Sequence, residues 1–182
     1  MRTVELVFAI GWGAFWLYWL AAAFSIKRGR MPWGRELRIR IVIVAGAILL
    51  ARLGAFRGHG VHTDDLWTDI GLALFAAGLS FAIWARVRIG RNWGTPMTQK
   101  AQPELVTGGP YRLVRHPIYS GILAAGFGTA IALSWWWLAV VGLAAIYFLY
   151  AATVEERFLA EQFPDTYPSY KRSTKMLVPF VV

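Results

Sequence analysis

At 182 residues the chain is of single-domain size, and 57% of it is hydrophobic against 16% charged, the balance of a membrane protein rather than a water-soluble globule. The net charge of +9 does not indicate nucleic acid, because the basic residues flank apolar segments instead of forming a stripe or arm; they read as topology signals and contacts to anionic lipid headgroups. The absence of cysteine excludes disulfides, thiolate nucleophiles, Cys-type metal sites and palmitoylation.

In chain order, Thr3 to Ser25 carries one charge, Glu5, and at ~1.5 Å per residue is long enough for a ~30 Å hydrocarbon core. It is too long for a signal-peptide core and is expected to stay as a first helix. A basic run from Lys27 to Arg40 follows, then Ile41 to Ala51 opens a shorter span in which Arg52 has to snorkel. Arg57 to Asp65 is a polar, Gly-containing loop; its His59, His62, Asp64 and Asp65 are read as loop residues rather than a metal site. Leu66 to Ala85 predicts a third span, ended by Arg86, Arg88 and Arg91.

Gly90 to Pro117 is the longest polar stretch, and Gly94, Pro96, Pro103, Gly108, Gly109 and Pro110 oppose a long helix there. From Ile118 to Val154 no charge occurs; as one helix this segment would be on the order of 55 Å long, too long for one crossing. It is expected to fold back at Leu133-Ser134-Trp135, with Trp135, Trp136 and Trp137 at the far interface. Gly121, Ala124, Ala125 and Gly128 are expected to hold this hairpin closed. An amphipathic tail from Glu155 to Val182 completes an all-α integral membrane protein of about five transmembrane helices.

Lys and Arg divide sixteen to three between alternate sides, only Arg2, Arg52 and Arg57 lying opposite the long loop and tail. The positive-inside rule therefore puts the N-terminus outside and the loop and C-terminal tail in the cytoplasm. The hairpin then brings His116, just before helix four, and Glu155, just after helix five, to one cytoplasmic boundary. Tyr111, Arg112, Arg115, Tyr119 and Glu156 gather beside them.

The run Leu105 to Gly121 (LVTGGPYRLVRHPIYSG), followed after the hairpin by Glu155-Glu156-Arg157-Phe158-Leu159, Tyr167, Tyr170, Lys171 and Pro179-Phe180, resembles the isoprenylcysteine carboxyl methyltransferase family, in its bacterial type. The match runs from Gly90 onward. The resemblance implies one membrane domain over 1–182, with N-terminal transmembrane helices over 1–89 and a cofactor loop, hairpin and tail over 90–182. It implies a methyltransferase that takes S-adenosylmethionine from the cytosol and methylates a lipophilic, membrane-embedded acceptor, in a bacterial inner membrane. By the same resemblance Leu105, Val106, Tyr111, His116, Pro117, Tyr119 and Glu155 surround the cofactor, and Glu155, Glu156 and Arg115 are the catalytic candidates; with no Cys and three His, two of them in the Arg57 to Asp65 loop, no metal is expected. No Rossmann-type glycine fingerprint is present.

Where the eukaryotic prenylcysteine enzymes carry an Arg one turn before the first Glu, this chain has Ala151. A carboxyl, an amine, a hydroxyl and a thiol acceptor thus stay open, as does the oligomeric state. Two other functions fit parts of the pattern: an NADPH-dependent sterol-reductase-like enzyme, which calls for a basic phosphate pocket that the sequence does not display, and a non-catalytic membrane scaffold or transport protein, which leaves the clustering of His116, Tyr111, Tyr119 and Glu155 without a purpose.

Overall fold

A computed structural model of the chain describes residues 3–23, 29–30, 38, 65–93, 99–100 and 104–179. Five α-helices are described: α1 (Thr3–Ala23), α2 (Asp65–Ile89), α3 (Pro117–Ala132), α4 (Trp137–Gln162) and α5 (Tyr167–Ser173). Short 3₁₀ turns lie at Gly90–Asn92 and Gly109–Arg112, and a two-residue antiparallel pair joins Gly29–Arg30 to Gln99–Lys100. The span expected at Ile41 to Ala51 and the loop with His59 and His62 lie outside the described residues.

Three helices, α1, α2 and α4, are long and apolar enough to cross a membrane, and α3 is a shorter apolar helix. Their outward faces carry large exposed hydrophobics such as Leu17 and Ile146, each 68% exposed. Lipid is the solvent in which such faces are stable, because a helix satisfies its own backbone hydrogen bonds.

The chain turns back between α3 and α4 as the apolar run requires. Trp137 N donates to Ser134 O at 3.0 Å, and the exposed Trp135 and Trp136 stand at the bend.

The small-residue stripe has a different partner from the one expected. α3 packs most closely on α2, not on α4. A Cβ on Gly121 would lie 2.6 Å from Gly78 O, and one on Gly78 would lie 2.6 Å from Gly121 O. Gly71 and Gly128 repeat this contact two turns further along. Backbones in such close approach gain dispersion contacts that lipid chains cannot supply. α1 lies against the same pair: Phe8 and Trp12 pack on Phe75, and Trp12 Nε1 donates to Thr129 Oγ1 at 3.1 Å.

A second difference concerns the Glu pair. Glu155 and Glu156 do not follow the last membrane helix but stand inside α4, which continues to Gln162. Glu, Arg, Leu and Ala in EERFLAEQ are good helix formers, so the helix outlasts its apolar stretch.

Candidate active site

The loop before α3 is shaped by its glycines and prolines. Gly109 has φ +64, a left-handed conformation that disfavours any side chain. Arg88 of α2 lies across this turn, with its Nη2 2.6 Å from where a Cβ on Gly108 would stand. Pro110 then opens the 3₁₀ turn that buries Tyr111, and Pro117 starts α3 at its first position, where the missing N–H is harmless. His116 is held between these two features, just ahead of the helix.

The tail completes the same loop. Arg115 N donates to Lys175 O at 2.8 Å and His116 N to Met176 O at 3.0 Å, within a parallel bridge between Val114 and Lys175. Ser120 Oγ donates to Leu177 O at 2.6 Å, and Tyr170 Oη to Tyr111 O at 2.7 Å. Four contacts thus attach the tail to the segment that carries His116.

The hairpin brings the two Glu residues to this loop. Tyr119 Oη donates to Glu155 Oε1 at 2.5 Å, and His116 Nδ1 lies 3.4 Å from Glu155 Oε2. The Tyr119 ring stacks between His116, at 5.5 Å, and Phe148, at 4.5 Å. Glu155 keeps 26% of its side chain exposed, whereas Glu156 keeps 4%. Glu156 Oε1 accepts from Arg115 Nε at 2.6 Å and its Oε2 lies 2.7 Å from Lys171 Nζ. Arg115 also reaches the tail through Nη1, which donates to Lys171 O and Thr174 O.

The adjacent carboxylates therefore differ in surroundings. Glu156 is enclosed by cations that belong to loop and tail, and Glu155 stays partly exposed beside the stacked aromatic rings. His116 is buried, and burial alone lowers its pKa; the negative charge of Glu155 and Glu156 beside it outweighs that and holds it above its ordinary value. Its Nε2 is buried, 3.6 Å from Glu156 Oε1, with no hydrogen-bond partner among the described residues. The Tyr111 phenol is pushed upward by burial first and by the neighbouring Tyr170 and Glu155 next, so it stays protonated and serves only as a neutral hydroxyl. Tyr170 is pushed up to about 12 by burial.

Of the residues singled out in the sequence, Tyr111, His116, Pro117, Tyr119, Glu155, Glu156 and Arg115 stand together around this centre. Val106 packs against the same core, and Leu105 is half-buried beside it in sequence. Ala151 is fully buried in the cluster that contains Trp93, Tyr111 and Tyr119. Lys171 and Tyr170, marked in the sequence only as part of the family resemblance, reach Glu156 and the loop. No spacing rule connects Lys171 to Glu156; only the return of the tail does. Phe148, one wall of the aromatic stack, lay unmarked within an apolar run.

This loop, hairpin and carboxylate pair fall within residues 67–166, which match the family model described as phospholipid methyltransferase. The chain belongs to the phospholipid methyltransferase family. The family match begins near the start of α2, earlier than the resemblance from Gly90 onward, in keeping with the interlocked α2 and α3.

Named relatives in the comparison include protein-S-isoprenylcysteine O-methyltransferase A of Arabidopsis thaliana, 33% identical over 60% of this chain and 51% of the relative. The methanethiol S-methyltransferase of Pseudomonas deceptionensis is 35% identical over 67% of this chain and 46% of the relative. The cobalt-zinc-cadmium resistance protein CzcN of Cupriavidus metallidurans is 32% identical over 78% of this chain and 61% of the relative. The chain spans about half to six-tenths of the length of these relatives. The resemblance to isoprenylcysteine carboxyl methyltransferases is thereby borne out at the level of family, and the apolar helices make this member an integral membrane protein.

Proposed function

We propose that the chain is an S-adenosylmethionine-dependent methyltransferase acting on a lipophilic acceptor at the cytoplasmic face of the membrane. The observation that carries this reading is the carboxylate of Glu155, oriented by Tyr119 at 2.5 Å and His116 at 3.4 Å and left partly exposed. The donor set fits the cofactor. Glu155 offers an acceptor for an ammonium, the imidazole of His116 beside it is a donor suited to a carboxylate, and Leu105, Val106, Tyr111, Pro117 and Tyr119 supply apolar and hydroxyl-bearing walls. When bound, S-adenosylmethionine supplies an electrophilic methyl on a sulfonium.

The protein's own contribution is orientation and exclusion of water. The His116, Tyr119 and Phe148 stack fixes the plane against which a ligand rests. Arg115, Glu156 and Lys171 act as positioning residues, holding loop, helix and tail in one register. The sixteen-to-three distribution of Lys and Arg supports a cytoplasmic position for this end of the molecule and an outside position for the turn at Ser134.

Calorimetry on the detergent-solubilised protein tests the reading. One site per chain is expected for S-adenosylmethionine and for its demethylated product. Heat with NADPH and none with either of these ligands would sink it.

A further inference from the structure

Beyond the Glu pair, a further strongly charged feature stands among the described residues, and most of its cations have no role in the methyl-transfer reading. Between the loop before α3 and the tail lies an open groove of about 500 Å³, lined by Arg112, Arg115, Lys171, Arg172 and Lys175 together with Leu113 and others. No carboxylate lines it among the described residues. Arg115 and Lys171 are already neutralised by Glu156. Arg112, Arg172 and Lys175 are exposed, and no ion pair is recorded for them among the described residues. The sequence displayed no such pocket because its two walls stand some sixty residues apart and meet only through the Val114 to Lys175 bridge.

We propose that this groove binds the headgroup phosphate of an anionic phospholipid. Three cations without an ion pair among the described residues, gathered around one cavity, favour a phosphate over a neutral or zwitterionic group. The surroundings favour a lipid over a soluble anion. His116 directly precedes the apolar helix α3, so the groove opens at the membrane boundary. Leu113, on its wall, is 52% exposed, and Val178, beside Pro179 at its rim, is 50% exposed. Apolar side chains among cations suit an interface where acyl chains and phosphates meet.

Purified protein in detergent is given equal amounts of phosphatidylglycerol and phosphatidylcholine, and retained lipid is counted by native mass spectrometry. The unmodified protein is expected to retain phosphatidylglycerol preferentially. Each charge removed should weaken retention about fivefold, so Arg172→Gln with Lys175→Gln together should weaken it about twenty-five-fold. Arg112→Gln, on the opposite wall, gives the fivefold loss independently should the double variant fold poorly. Equal retention of the two lipids, or undiminished phosphatidylglycerol on folded variants, overturns the proposal. Displacement of the lipid by inorganic phosphate at matched concentration also overturns it, in favour of a small soluble anion. Affinity for the demethylated cofactor product, measured in lipid-free detergent, should be the same in these variants as in the unmodified protein. A failure of cofactor binding therefore bears on the methyltransferase reading and leaves lipid retention as a separate result.

Discussion

Lys171 reaches from the tail to Glu156, its Nζ 2.7 Å from Oε2, while half of its own side chain is exposed and Glu156 is buried. The two ends of this ion pair therefore differ in what their loss entails. Glu156→Ala leaves Arg115 as a buried cation without its partner, expected to destabilise by about 3–5 kcal/mol. Lys171→Met removes a mostly hydrated charge, expected to destabilise by about 1 kcal/mol or less. Thermal unfolding in detergent measures both. Equal losses for the two variants would show that Glu156 is not the centre of the network.

Cofactor affinity should follow the orientation of Glu155. Tyr119→Phe, Glu155→Gln and His116→Ala each remove a hydrogen bond to a charged group, a contact of roughly 1.5–3 kcal/mol, or about ten- to a hundredfold in affinity. Calorimetric titration with the demethylated cofactor product gives the number. Unchanged affinity in Glu155→Gln and His116→Ala together would remove both residues from the site.

The pH dependence of stability has a definite sign. His116 has its folded-state pKa raised above the ordinary 6.5, so its stabilising contribution is complete below that value and is lost as pH rises through the folded-state pKa. Melting temperature in detergent should therefore fall over that window, and fall less in His116→Gln. A parallel decline in the two proteins would place the titration elsewhere.

The glycine contact between α2 and α3 can be separated from helix propensity. Gly121→Ala places a Cβ 2.6 Å from Gly78 O, and overpacking of this kind destabilises by about 1–3 kcal/mol. Gly13 has no atom within 4 Å of a built Cβ, so Gly13→Ala should be neutral or slightly stabilising. Thermal unfolding of the pair distinguishes them, and equal melting temperatures would mean that the close approach does not hold the helices.

Orientation is open to direct labelling in this cysteine-free chain. Ser134→Cys should react with an impermeant thiol reagent in intact cells, and Ser173→Cys only after the membrane is opened. The reverse pattern would invert the assigned topology.

The meeting of His116 and Glu155 was legible because an uncharged run too long for one crossing has to reverse, and reversal returns its two ends to one side. The loop was legible through Gly109 and Pro110, whose conformations are local. The division of labour within the Glu pair was not, since Glu155 and Glu156 are identical in kind and differ only in what the tail brings to them. The partner of Gly121 and Gly128 was equally hidden: small residues announce a close neighbour but not which helix supplies it. Glu155's place inside α4 is hidden in the sequence because the apolar run ends at Val154 while the helix continues to Gln162.

The bridge from Val114 to Lys175 also orders events during synthesis. Residues 175–177 leave the ribosome only after α3 and α4 have been made, so the backbone bonds that align Arg115 and His116 form after the hairpin is available to the bilayer. Assembly of the binding centre therefore waits for the tail, and until residues 171–177 emerge Glu156 lacks Lys171 and the backbone of His116 lacks Met176.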